Sequence, residues 1–154
     1  MMNLSCNVIK ALQGKTLATA ESCTGGGIGA ALTAVPGSSA VFKGGIISYT
    51  NEVKENLLDV PADLLETKGA VSAPVAEAMA KGARKALLAD IAVSVTGLAG
   101  PDGDDFGNSV GTVFIGYADA KQSLSREYHF TGDREAVRKS AIETALKLIL
   151  EMQL

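Results

Sequence analysis

The chain has no tryptophan, one histidine, two cysteines and four prolines in 154 residues. No apolar run approaches the roughly 20 residues that span a bilayer. His129 alone leaves little scope for a histidine-rich metal site. Cys6 and Cys23 form no CxxC pair and read as free thiols in a reducing compartment. Met1–Lys10 lacks a signal-peptide pattern, so the expected location is the cytoplasm, with no membrane partner. Fourteen Lys and Arg against seventeen Asp and Glu leave a formal charge of -3, with no basic block. Nucleic acid is therefore not the expected partner, because counterion release needs clustered cations. What is abundant is small and apolar: 47% of residues are hydrophobic and 17 are glycine. With many alanines, this points to helices packed closely on a sheet. At about 150 residues per domain, 1–154 is expected to be one domain that buries roughly 70% of its unfolded surface.

Periodicity divides the chain. Leu4, Val8, Ile9 and Leu12 have helical spacing, and Gly14 follows as a stop. Thr16–Ala20 reads as a short strand and Thr24–Val35 as a helix closed by Pro36-Gly37. Val41–Tyr49 reads as a strand bent or bulged at Gly44-Gly45. Asn51 is the expected N-cap of a helix over Glu52–Leu58, and a further helical piece follows Pro61. Ala73–Leu88 presents Val75, Ala76, Met79, Ala83, Ala86 and Leu87 as one apolar stripe. Asp90–Thr96 suits a buried central strand. Val110–Tyr117 and Ser123–Phe130 suit an antiparallel pair, and Asp133 caps a last helix with Val137, Ala141, Ala145 and Leu148 inward. The order α-β-α-β-α-α-β-β-β-α predicts an α/β fold of three layers, α/β/α, around a mixed sheet.

Four segments carry chemistry. In Ala20-Glu21-Ser22-Cys23-Thr24-Gly25-Gly26-Gly27, a hydroxyl stands at a strand end before a glycine-opened helix. Ser22 there is a candidate nucleophile, and the Gly25 or Gly26 amides are candidate oxyanion donors. The ordinary alternative is that Ser22 or Thr24 caps the helix. Gly25-x-Gly27-x-x-Ala30 also imitates a dinucleotide fingerprint, but the later acid, Glu52, lies beyond the second strand. A serine nucleophile needs a base. His129 falls in a strand, a Cys23–His129 pairing stays open, and no S-x-x-K motif is present. Lys54 follows Ser48-Tyr49-Thr50-Asn51 at the next strand-to-helix turn, and adjacent strand ends meet at one rim. Acting as a base requires its pKa to fall from about 10.4, whereas a surface lysine would be solvated and charged.

Gly97–Asn108, with four glycines and three aspartates, reads as a loop over a ligand site at that rim. It is not a calcium loop, because Phe106 and Val113 occupy positions that require oxygen. Arg134 and Arg138 form an i, i+4 pair at a helix N-terminus, where cations oppose the dipole. They fit either an anion such as phosphate or pairing with Asp133 or Glu135.

Further matching segments are Pro36-Gly37-Ser38-Ser39, Tyr49-x-Asn51-x-x-Lys54, Gly69-Ala70-Val71-Ser72, Thr96-Gly97-x-Ala99-Gly100-Pro101-Asp102-Gly103 and Gly132-Asp133-Arg134-x-x-x-Arg138. Together with the Ser22 segment, and in this order, the chain resembles the C-terminal domain of the competence/damage-inducible protein CinA. That family includes stand-alone nicotinamide mononucleotide deamidases. The resemblance implies hydrolysis of the carboxamide of nicotinamide mononucleotide to nicotinate mononucleotide and ammonia, with no metal or cofactor. It implies Ser22 as nucleophile, Lys54 as general base and Tyr49 as an orienting or relaying group. Thr24, Ser39 and the Gly97–Gly103 loop, with Ala99 and Gly100, would line the pocket. Arg134 and Arg138 are candidate clamps on the phosphate of the nucleotide. A non-catalytic nucleotide-binding module is the alternative, and a dinucleotide oxidoreductase ranks third. The alanine-rich helices suit a homo-oligomer interface as well as packing within one chain.

Overall fold

The computed structural model describes residues Met1–Leu154. Helix α1 (Met2–Ala11) leads into β1 (Leu17–Glu21) and α2 (Gly27–Thr33). A single 3-10 turn (Ser38–Ala40) precedes β2 (Phe42–Ile47), α3 (Asn51–Leu58), α4 (Ala62–Lys68) and α5 (Ala73–Ala86). Strands β3 (Ile91–Gly97), β4 (Thr112–Ala118) and β5 (Ser123–His129) and the long helix α6 (Arg134–Glu151) complete the chain. The five strands form one sheet in the order β2-β1-β3-β4-β5. β1 runs parallel to β2 and β3, and the β3–β4 and β4–β5 pairs are antiparallel. This is the expected α/β fold with a mixed sheet.

Side chains alternate across the strands, so the two faces carry different residues. Leu17, Val93, Val95, Val113, Ile115 and Tyr117 join α1, α2 and α6 in the larger apolar cluster. Ala18, Ala20 and Ala92 face the other way, against Val75, Met79 and Ala83 of α5. This second face is built from small residues, and α5 comes close to it. Ser94 Oγ donates to the Ala76 carbonyl at 2.5 Å. A Cβ placed on Gly116 would lie 2.3 Å from that same carbonyl oxygen. The abundance of glycine and alanine has its reason here, in a helix backbone seated almost directly on strand backbone. Ala86, expected inside, is exposed, because the helix ends there and rises from the sheet.

Register sets the working end. Leu17 pairs with Phe42 and Ala18 with Gly44, so Lys43 is the extra residue of a bulge just ahead of Gly44-Gly45. Beyond it, Glu21 stands opposite both Ile47 and Val95. The carboxyl ends of β1, β2 and β3 are therefore level, with Ser22, Ser48 and Thr96 abreast. β2 lies on one side of β1 and β3 on the other, so chain direction diverges at this rim, where open α/β sheets bind ligands. Asn51 does not cap α3. The N-cap is Thr50, whose hydroxyl accepts from the Val53 amide at 3.3 Å.

Helix α3 is held at its far end by α5. A Cβ on Gly82 would lie 1.9 Å from the Leu58 carbonyl oxygen. Helix propensity alone makes Gly82→Ala stabilising by about 1 kcal/mol. The collision with unyielding backbone reverses that sign, and a net loss of about 1–3 kcal/mol is expected. A urea-unfolding midpoint at or above that of the wild type would contradict this account of the α3–α5 contact.

Candidate active site

The turn between β1 and α2 is organised by Glu21, only 2% exposed. Its carboxylate accepts from the Thr24 hydroxyl at 2.7 Å and from the Ile28 and Gly29 amides at 2.8 and 3.0 Å. A fourth donor, the Thr19 hydroxyl, lies at 3.3 Å. The first amides of α2 are thus satisfied by a buried carboxylate, which offsets the charge against the helix dipole and direct hydrogen bonds. Two expectations fall with this. Neither Ser22 nor Thr24 caps the helix, whose N-cap is Gly26 without a side-chain bond. The glycine-rich turn offers no seat for a pyrophosphate either, because Glu21 already occupies the amides that would bind it.

Ser22 and Lys54 meet at the rim. Lys54 Nζ donates to the Ser48 carbonyl at 2.7 Å and lies 3.2 Å from Ser22 Oγ. Lys54 is 1% exposed, one of the largest fully buried side chains, and no carboxylate pairs with it. Burial pushes its pKa from 10.5 down to about 8, opposed by the negative charge of a Cys23 thiolate. That opposing charge is absent near neutrality, because burial raises the Cys23 thiol from 9.0 to about 11 against the pull of its own backbone amide, Arg138 and Arg134. At pH 7 roughly one Lys54 in ten is then a neutral amine, able to accept a proton from Ser22.

A cleft of about 300 Å³ opens in front of this pair. Ser22, Cys23, Tyr49, Asn51 and Lys54 form one side, and Thr96–Gly100 with Asp102 form the other. Ala70 and Val71 close the back and Arg134 stands at the mouth. Asp104 folds the outer loop by accepting from the Phe106 and Asn108 amides at 3.0 and 2.9 Å. Asn108 ties that loop to the back wall by donating to the Val71 carbonyl at 3.0 Å. Arg134 donates to the Gly100 carbonyl at 2.5 Å and to the Tyr49 hydroxyl at 3.2 Å, joining both lips of the cleft. No three His, Cys, Asp or Glu side chains converge to hold a metal.

Of the residues singled out in the sequence, Ser22, Lys54, Tyr49, Gly97, Ala99, Gly100 and Arg134 line this cleft. Tyr49 is 59% exposed and bonds to Arg134, not to Ser22 or Lys54. Five others do not line it. Thr24 is fully buried with its hydroxyl on Glu21. The Gly25 amide is spent on the Ser22 carbonyl at 3.0 Å, and Gly26 packs beside Ile47. Ser39 is exposed in the turn before β2, at the amino edge of the sheet and so at the wrong end. Arg138 lies behind the turn, donating to the Cys23 and Thr24 carbonyls at 3.0 and 3.2 Å, and pairs with neither Asp133 nor Glu135. His129 sits on the edge strand β5 against Glu127, and no Cys23–His129 contact exists. Asp102 falls within the Gly97–Gly103 loop expected to line the pocket. Sequence reasoning gave no roles to Glu21 and Ser48 and no lining role to Ala70 and Val71, although Ala70 and Val71 stand in the quoted Gly69–Ser72 segment and Glu21 is an acid closing a short buried strand.

A mixed α/β domain with a buried serine–lysine pair at the strand divergence defines the class of site. Comparison with known proteins defines the family. The family model described as the CinA C-terminal domain matches residues 2–153, and the chain belongs to that family. It is 52% identical over 134 residues to a CinA-like protein of Geobacter sulfurreducens, covering 87% of this chain and 32% of that protein. A CinA-like protein of Parasynechococcus marenigrum is 50% identical over 148 residues, covering 94% of this chain and 35% of its own. The chain thus spans about a third of the length of these curated relatives. Among solved structures, a CinA superfamily protein from Klebsiella pneumoniae has a TM-score of 0.96 at 36% identity, covering 99% of this chain and 96% of its own. A competence/damage-inducible protein from Agrobacterium tumefaciens has a TM-score of 0.96 at 37% identity, with 99% and 95% covered.

Burying Lys54 has a thermodynamic signature. The unfolded chain keeps this proton up to about pH 10.5 and the folded chain only to about 8. Between those values the unfolded state binds more protons, so stability rises with pH by roughly 3 kcal/mol from this group. Below pH 8 the full cost of the buried ammonium is present. Cys23 acts in the opposite direction between 9 and about 11. The term is therefore read as the wild-type minus Lys54→Met difference in urea-unfolding free energy, which is expected to climb from pH 8 to 10.5. A flat difference would mean that Lys54 is not held in this environment.

Proposed function

We propose that the protein is an amidohydrolase that converts nicotinamide mononucleotide to nicotinate mononucleotide and ammonia, with Ser22 as nucleophile and Lys54 as general base. The observation that carries the reading is the 3.2 Å separation of Lys54 Nζ and Ser22 Oγ inside a site that favours a neutral amine. Family membership supplies the substrate class. Neutral Lys54 takes the Ser22 hydroxyl proton as Oγ bonds to the amide carbon and the carbonyl oxygen becomes an oxyanion. Collapse of that intermediate breaks the C–N bond, and the proton held by Lys54 leaves with nitrogen as ammonia. Water then attacks the acyl-serine, losing its proton to Lys54. The carboxylate product departs as Ser22 recovers its proton.

Cleft chemistry agrees with this substrate. Arg134 at the mouth is the cation available to the phosphate, and Ser22 and Lys54 are at the deep end where the carboxamide would lie. Tyr49 acts through Arg134, as an orienting group. A nucleotide-binding module without catalysis has no use for an unpaired lysine buried against a serine at a cost of several kcal/mol.

The deciding assay is ammonia release from nicotinamide mononucleotide, with nicotinamide and NAD as comparison substrates. Ser22→Ala is expected to lower the rate by about 10³-fold or more while still binding the nucleotide. The wild-type kcat is expected to rise with pH and level off above about 8, as Lys54 loses its proton. Full activity in Ser22→Ala would sink the mechanism. A folded wild type that binds the nucleotide and releases no ammonia would leave the binding module.

A further inference from the structure

Arg138 spends its guanidinium on the backbone of the Ser22 turn. Its Nε and Nη2 donate to consecutive carbonyls, those of Cys23 and Thr24, from a helix more than a hundred residues away in sequence. The arginine lies behind the turn: a Cβ on Gly25 would be 3.7 Å from Nη2, and Arg138 is not part of the cleft lining. The turn is closed by the Gly25 amide donating to the Ser22 carbonyl at 3.0 Å. Neither Cys23 nor Thr24 has positive φ. A four-residue turn with that bond and those dihedrals is type I, with both central residues near helical geometry.

Peptide planarity then fixes where the amides point. The peptides of this turn are trans, the chain's one cis bond being Gly100–Pro101, so each N–H is directed opposite to the preceding carbonyl. The Ser22 carbonyl points to the Gly25 amide, and Gly25 is not among the cleft-lining residues. The Cys23 N–H consequently points away from Gly25, and Cys23 lines the cleft with Ser22 and Lys54. The Thr24 N–H is turned away from Arg138 for the same reason. Neither amide donates to a backbone carbonyl. The Cys23 amide meets no oxygen acceptor and only its own sulfur, a weak one, on a residue 6% exposed that adjoins the nucleophile. It is a donor left for an oxygen that arrives with the substrate.

We propose that Arg138 is a positioning residue that fixes the Thr24–Gly25 peptide by its bond to the Thr24 carbonyl, so that the Gly25 N–H holds the Ser22 carbonyl and the Ser22–Cys23 peptide keeps its Cys23 N–H aimed at the oxyanion formed when Ser22 adds to the amide. The proposal rests on the amidase reading above and gives that reaction its oxyanion donor. Without the guanidinium, the Cys23–Thr24 and Thr24–Gly25 peptides lose their side-chain anchor and only backbone bonds hold the turn, and a rotated Ser22–Cys23 peptide presents a carbonyl that repels the developing charge. The bond from Arg138 to the Thr24 carbonyl also polarises the Thr24–Gly25 peptide, which strengthens the bond from the Gly25 N–H to the Ser22 carbonyl. The site differs from the helix end of α2, whose first amides are already taken by Glu21.

The test separates positioning from substrate binding. Arg138→Met is expected to lower kcat for nicotinamide mononucleotide by about 10²-fold, the usual effect of losing one oxyanion donor, with KM moved less than about threefold. Affinity for the nicotinaldehyde analogue of the nucleotide, which Ser22 converts to a hemiacetal oxyanion, should fall in parallel. Affinity for the product nicotinate mononucleotide should not. Arg138→Lys, which retains donors for the carbonyls, should recover most of kcat. A raised KM with kcat unchanged would make Arg138 a substrate contact and overturn the proposal, and wild-type constants in Arg138→Met would overturn it as well. If Arg138→Met does not fold, Arg138→Gln replaces it in every comparison, with the same expected loss of kcat at nearly unchanged KM. Hydrolysis of p-nitrophenyl acetate distinguishes the two readings. Ester turnover without ammonia release sinks the nucleotide assignment alone, and the loss in Arg138→Met is then read on the ester. Loss of neither activity in the variant overturns the role of Arg138.

Discussion

Close approach of the α5 backbone to the sheet is the constraint from which the other positions follow. Ala18, Ala20, Ala92, Ser94 and Gly116 leave that face almost without side-chain relief, so Ala76 of α5 lies against strand backbone. Gly82, two turns further along α5, lets the Leu58 carbonyl at the end of α3 come equally near. Helix α3 is thereby held low over the rim, and Lys54, in its first turn, keeps almost no solvent contact although it lines the cleft. A larger residue at Gly82 would push against the Leu58 backbone and displace the end of α3. Interiors at crystal-like density transmit such shifts instead of absorbing them.

The opposite side of the turn has its own support. Glu21 gathers the Thr24 hydroxyl and the α2 amides, and Arg138 gathers the Cys23 and Thr24 carbonyls. Between an anion inside and a cation behind, the Ser22 turn has both its donors and its acceptors assigned, apart from amides on the cleft side. Lys54 is the reverse case. It receives the Ser48 carbonyl and no carboxylate, so its charge is costly and its neutral form is favoured. The same few residues of chain therefore contain one charge stabilised by many partners and another deprived of them. This contrast lets a serine stand beside a buried lysine that favours its neutral form within a stable fold.

Arg134 links the outer parts of the cleft. It bonds to the Gly100 carbonyl and the Tyr49 hydroxyl, which come from different loops. The loop after β3 is pinned separately through Asp104, Asn108 and Val71. The cleft thus has a back wall tied to the outer loop and one lip that depends on a single exposed arginine, the cation at the mouth on which the proposed substrate relies.

Element order, the α/β class, the caps at Asp133 and the inward faces of α1 and α6 were legible from local patterns, since periodicity and turn chemistry act within a few residues. So was the level rim, because parallel strands joined by helices bring their carboxyl ends together. Ser22 and Lys54 could be matched through that argument and through family motifs, although not their burial. The fates of Arg134 and Arg138 were illegible. Four residues apart on one helix, they look equivalent, yet one faces the cleft and the other the back of the Ser22 turn. Ser39, in a motif beside the others, lies at the far edge because β2 must run its full length before reaching the rim. Sequence alone determined which residues form each element and which chemical groups the chain possesses. Only the tertiary structure decided which of those groups lose water and which backbone carbonyls they meet, because desolvation and long-range hydrogen bonds depend on packing between segments distant in the chain.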